Sequence, residues 1–166
     1  MTKKSPLYID GDGILIDNNE FQAVLNTAYP YIHLKPMKNP TGYITICNNR
    51  FGSESIKWPD EKYRPPQNFI VLDKGNFQIM GVLINANYFF TNKEGLATPN
   101  TGDHAIKILN ERVINLQITN GNVFLGFNEN IIDDSGKGRG WLFKDNIIYG
   151  PQKKTFKVDS PIWQKK

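Results

Sequence analysis

Short β-like runs, each cut by turn-forming residues, dominate this chain and restrict it to folds built from sheets. "GYITIC" alternates Ile44 and Ile46 with Tyr43, Thr45 and Cys47, the period of a strand with one buried face. "INLQIT" alternates Ile114, Leu116 and Ile118 with Asn115, Gln117 and Thr119 in the same way. "GILI", "NFIVL", "QIMGVLI" and "GWLFKDNIIY" are further strand candidates, rich in β-branched and aromatic residues. Asn120-Gly121 stands between "INLQIT" and "NVFLGF", and both residues accept positive φ, so a β-hairpin is expected there. Helix signals are scarce. "DHAIKILNER" (103–112) reads either as two or three helical turns or as a strand with a turn. No segment repeats at an evident spacing. The pattern predicts an all-β jelly-roll sandwich, residues 1–150 forming one domain and 151–166 a basic C-terminal tail.

With 166 residues the chain is long enough for one sizeable core. Ten Phe, seven Tyr and three Trp argue against a disordered chain. No apolar run approaches the ~20 residues of a membrane-spanning helix. The opening "MTKKSPLYIDG" has no apolar stretch of the length a secretory leader needs, so secretion is expected only if a leader has been removed. Cys47 is the one cysteine, which excludes an intrachain disulfide framework, and with His33 and His104 as the only histidines there is little material for a zinc site. The formal charge of +4 is local: five lysines against Asp159 after residue 150 account for all of it. Residues 1–150 are therefore neutral, and nucleic acid is not an expected partner. The tail reads as solvated, or as a contact for an acidic partner or a membrane surface.

"LGFNENIIDDSG" (125–136) ends an apolar strand and then offers Asn128, Glu129, Asn130, Asp133 and Asp134. Calcium takes six to eight oxygens from such groups, so a bound cation would offset their repulsion; a solvated acidic turn is the alternative. "DGDG" (10–13) fails the calcium-loop spacing and reads as a turn into "ILI". "SGKGRG" (135–140) lacks the P-loop context and reads as a basic glycine-rich hairpin tip. Ser135, His104 and Asp103 have no nucleophile elbow to fix them as a triad. Trp141, Met80, Val82 and Ile84 are expected in the core, and Cys47 as a small buried residue. Trp58, beside Pro59, reads equally as a sugar-stacking platform or as packing.

"GNVFLGFNENIIDDSG" resembles the strand and loop of the LecA-like galactophilic bacterial lectins. "KWPDEKYRPPQNFI" (57–70) is similar to that family's sugar-site loop, "GYITI" with "RFG" to its strand ending in an aromatic-Gly, and "IMGVLI" to its core strand. The resemblance implies a β-sandwich in which calcium bridges the protein and vicinal sugar hydroxyls. It implies backbone carbonyls of Phe51 and Asn130, and side chains of Glu129, Asp133 and Asp134, as metal ligands. It implies Gln67 and Arg64 at the sugar, with Trp58 nearby. The departures are Glu129 for Asp, acids at Asp133 and Asp134 for amides, which make the site more negative and favour a cation, and Arg64 for His, which makes an acidic sugar or another anionic group a candidate. The function so implied is calcium-assisted binding of a glycan or other polyhydroxyl ligand without catalysis, strengthened by homo-oligomers. The alternative is the same fold with a decayed sugar site, used for protein interaction or assembly.

Overall fold

The computed structural model describes residues 7–22, 29–53, 68–91, 104–127, 130–134, 137–150 and 163–165. All regular structure among them is β-strand. The strands are β1 (Leu7–Ile9), β2 (Leu15–Asp17), β3 (Glu20–Gln22), β4 (Ile32–Leu34), β5 (Thr41–Cys47), β6 (Arg50–Ser53), β7 (Asn68–Leu72) and β8 (Ile79–Asn85). They continue as β9 (Tyr88–Thr91), β10 (His104–Ile108), β11 (Val113–Thr119), β12 (Val123–Leu125), β13 (Ile132–Asp134), β14 (Trp141–Lys144), β15 (Ile147–Tyr149) and β16 (Trp163–Lys165).

The expected jelly-roll sandwich is corrected. Up to β15 the pairs run in parallel between strands three places apart, and β16 then pairs in parallel with β14, giving three sheets: A (β1-β4-β7-β10-β13), B (β2-β5-β8-β11-β14-β16) and C (β3-β6-β9-β12-β15). The chain is thus a parallel β-solenoid whose coils each visit sheets A, B and C in turn. β11 and β12 do not pair with each other, so Asn120-Gly121 is a corner between sheets B and C rather than a hairpin. Its φ values of 57° and 82° are what a hairpin would also have required, which is why the dipeptide misleads. The segment 104–108 is strand β10, and no helix forms there. Residues 163–165 pair in parallel with Trp141–Phe143, so the C-terminal segment contributes a sixth strand to sheet B.

The repeat missed in the sequence is now visible. Five stretches align: "GILIDNNEF" (13–21), "YITICNNRF" (43–51), "GVLINANYF" (81–89), "NLQITNGNVF" (115–124) and "GWLFKDNII" (140–148). Each opens on a left-handed residue: Gly13, Tyr43, Gly81, Asn115 or Gly140, with φ between 51° and 69°. Each then runs apolar-x-apolar through sheet B and turns on a second left-handed residue (Asn18, Asn48, Ala86, Asn120 with Gly121, or Asp145). Every coil therefore bends at the same two places, and glycine or asparagine recurs there because the left-handed region costs them least.

An asparagine follows the second bend in each coil, and these five form a ladder. The Asn49 side-chain oxygen accepts from the Asn19 backbone N–H and amide at 2.9 and 3.0 Å. Asn87 accepts likewise from Asn49 at 2.9 and 3.0 Å, and Asn122 from Asn87 at 3.1 and 3.1 Å. Asn146 accepts from the Asn122 amide at 2.8 Å. Each of the last four also donates its amide to the previous coil's backbone, at Ile16, Ile46, Ile84 and Ile118. The ladder satisfies the polar groups of a buried corner that no strand pairing reaches.

Inside, like stacks on like. Ile16, Ile46, Ile84, Ile118 and Phe143 are register partners along sheet B, and Ile32, Ile70, Ile106 and Ile132 along sheet A. Phe21, Phe51, Phe89 and Phe124 form a column of near-parallel rings in sheet C, with centroids 4.8, 4.8 and 4.9 Å apart. That spacing is the strand spacing itself, so each ring covers the next without leaving its rung. Trp141 is fully buried and donates its indole N–H to the Val113 carbonyl at 3.1 Å. Val82 and Ile84 are core as expected, while Met80 is half-buried. Cys47 is half-buried and adjoins Asp17, so it is not the core residue expected.

Candidate functional site

In a solenoid the inward positions make the core, and the outward columns carry whatever the molecule shows to a partner. The outward column of sheet A reads Tyr8, His33, Val71, Lys107 and Asp133, one residue per coil in register. Beside it lie Lys35 and Asp73, just past the ends of β4 and β7, and His104 at the start of β10.

These side chains form two similar clusters. The first is Asp73, whose Oδ2 accepts from His33 Nε2 at 2.9 Å and lies 3.1 Å from Lys35 Nζ. Burial alone would push the Asp73 carboxyl up. The hydrogen bonds from His33, Lys35 and the Lys74 backbone N–H outweigh it and hold Asp73 below the usual carboxylate range. The second cluster is Asp133, with Oδ2 3.3 Å from Lys107 Nζ and 3.9 Å from His104 Nε2. His104 Nδ1 is 2.6 Å from the Asn130 carbonyl, an acceptor only, so Nδ1 carries a proton and Nε2 is the nitrogen turned toward Asp133. Tyr8 packs edge-on against His33 with centroids 5.5 Å apart and remains half exposed. Both carboxylates are mostly shielded from solvent although they sit on the outer face. Asn68, the register partner of His104, buries its side-chain oxygen with no hydrogen-bond partner. A buried acceptor of that kind costs about 1–3 kcal/mol.

The residues that the lectin resemblance assigned to calcium are not brought together. Phe51 is fully buried in the ring column of sheet C, on the second coil. Asp133 and Asp134 are in sheet A on the fifth coil, three rungs or ~14 Å further along the stack. Asp133 and Asp134 also point oppositely, as adjacent strand residues must: Asp133 continues the outward column, and Asp134 continues the inward column of Ile9, Leu34, Leu72 and Ile108. The Asn130 carbonyl is taken by His104, and the Lys107 ammonium stands beside the Asp133 carboxylate. These residues do not fit a calcium ion, and no cluster of three or more His, Cys, Asp or Glu suited to a metal occurs among the described residues. Glu129, Arg64, Gln67 and Trp58 lie outside the described residues, as do Asp103 and Ser135.

The sequence reading missed His33, Lys35, Asp73 and Lys107. The available signal was a recurring apolar-x-apolar-polar tetrad, "IHLK" and "IVLD", which becomes readable once the coils are aligned on their asparagines.

No helix of the described residues is long and apolar enough to cross a membrane. Comparison with protein-family models, with curated proteins and with solved structures found no match to the chain.

Proposed function

We propose that this chain is a non-catalytic recognition module that binds a glycan or other polyhydroxyl ligand along the outer face of sheet A, without calcium. The observation that carries this reading is the pair of lysine–carboxylate couples, Lys35–Asp73 and Lys107–Asp133, on one shielded face. A sugar hydroxyl both donates and accepts. A carboxylate next to an ammonium therefore takes two vicinal hydroxyls, one donating to oxygen and the other accepting from nitrogen. Successive coils repeat at ~4.8 Å, so the two couples, whose carboxylates lie two rungs apart with Val71 on the rung of Asp73, would hold a short glycan at two points along the stack. Tyr8 offers a ring at the edge of the row.

Catalysis is not supported by the same geometry. Asp73 and Asp133 are two rungs apart, or ~10 Å, beyond the ~5–9.5 Å over which paired glycosidase carboxyls act. Asp73 is also held in its ionised form by His33 and Lys35, which disqualifies it as a general acid near neutral pH.

A glycan array with the full chain, followed by calorimetry on the strongest ligand, tests this reading. Asp133→Asn and Lys107→Gln should each weaken binding about tenfold, the loss of one charge-assisted hydrogen bond. A chelator should change nothing. A glycan captured equally well by both variants, binding that needs added calcium, or an empty array would remove the proposal.

A further inference from the structure

The outer face of sheet C differs in kind from that of sheet A. Its two outward columns, read along the stack, are Glu20, Arg50, Tyr88, Val123, Ile147 and, from the second coil on, Gly52, Phe90, Leu125, Tyr149. The first two coils present charge, with Arg50 3.4 Å from Glu20. The last three coils present six apolar residues in a grid of two by three. Tyr149 is 58% exposed and Ile147 44%, with Tyr88 and Leu125 also exposed, and Phe90 and Val123 half-buried. Phe90 marks the boundary. Its ring lies over Gly52, where an added Cβ would fall 2.1 Å from a ring carbon, and the Arg50 guanidinium covers it at 5.0 Å from the centroid.

We infer that this grid is the surface through which two copies of the chain associate. Three features single out a second copy as the occupant. Both columns are apolar over the same three rungs, so the grid is complementary to itself under a two-fold rotation, as a closed dimer demands. That rotation turns the Glu20 and Arg50 end of each copy away from the other's centre, leaving the charges on a wet rim. The area also agrees: with aromatic side chains of about 150–250 Å² each, the grid exposes roughly 400 Å² per copy, and the total of roughly 800 Å² belongs to weak, reversible interfaces. A glycan fits this face poorly. Val123, Leu125 and Ile147 interrupt the aromatic rings, and only the two tyrosine hydroxyls offer hydrogen bonds within the grid. Association through sheet C leaves both copies' sheet A faces uncovered, so two weak sites of the kind proposed above would act together. The dimer itself does not depend on that reading.

Sedimentation equilibrium of the full chain from micromolar to millimolar concentration tests the inference. The wild-type chain should pass reversibly from monomer to dimer. Leu125→Asp with Ile147→Asp should weaken association more than tenfold, and so should Tyr149→Arg, an exposed site where folding is not at stake. Leu15→Asp, 65% exposed on the outer face of sheet B, should dimerise as the wild type does. A chain that stays monomeric throughout overturns the inference. So does association that survives Tyr149→Arg with the fold intact by circular dichroism, or loss of Tyr88 and Tyr149 that abolishes glycan capture while leaving the oligomeric state unchanged.

Discussion

Asn87→Ala should lower stability by about 3–5 kcal/mol, an exceptional cost for one polar side chain. Asn87 is the middle of the corner ladder and is 1% exposed. Its oxygen is the acceptor for the Asn49 backbone N–H, and its amide donates to Ile46, Asn85 and Asn122. Truncation leaves Asn49 N–H buried without its acceptor, and the Ile46 carbonyl without its side-chain donor. Each orphan costs about 1–3 kcal/mol. For a chain of this length, each kcal/mol corresponds to about 2–4 °C in Tm, so a fall on the order of 10 °C is expected. Asn85→Ala, two residues away, is the control. The Asn85 side-chain oxygen is buried with no partner, so its removal should change Tm little or raise it. Equal effects of the two substitutions in thermal denaturation would refute the ladder's role.

Phe89→Ala should cost a similar amount, about 3–5 kcal/mol, by a different route. Phe89 is fully buried between Phe51 and Phe124, with interplanar angles of 7° and 6°. Removing the ring opens a gap in the middle of a column whose members are held one strand spacing apart by backbone pairing. The neighbours cannot close the gap without breaking register, so the cavity stays open. Phe89→Leu fills much of it and should recover at least half of the loss in denaturant midpoints. A Phe89→Ala chain as stable as the wild type would mean that the rings do not stack as described.

Several strands were legible: "GYITIC" and "INLQIT" by alternation, and "GILI", "NFIVL", "QIMGVLI" and "GWLFKDNIIY" by their β-branched and aromatic residues. Short strands such as β1, β4 and β13 carried no such run, and the left-handed corners at Tyr43, Ala86 and Asp145 carry neither Asn nor Gly. What local pattern does not encode is the partner. Period-two alternation states which face of a strand is buried, and that is equally true of an antiparallel hairpin and a parallel coil. Asn120-Gly121 satisfies the φ demand of either. The repeat was hidden by its spacing: ladder asparagines are separated by 30, 38, 35 and 24 residues, because the connections into sheet A vary in length. The candidate site failed for a related reason. Asp133 and Asp134 look like one oxygen-rich loop, yet as strand residues one faces outward and the other inward. The sheet A row is assembled from residues drawn from separate coils, so no contiguous motif announced it.

The parallel register underlies every statement about core, corner and surface, and the single native cysteine allows it to be read directly. Cys47 in β5 is the register partner of Asn85 in β8. Parallel neighbours lie ~4.8 Å apart, inside the ~4.4–6.8 Å span of a disulfide. Asn85→Cys should therefore form an intrachain bond to Cys47 on mild oxidation, seen as one crosslinked peptide pair in a non-reducing digest, with the fold retained. Two free thiols in a folded chain, or crosslinks only between molecules, would contradict the coil-on-coil register.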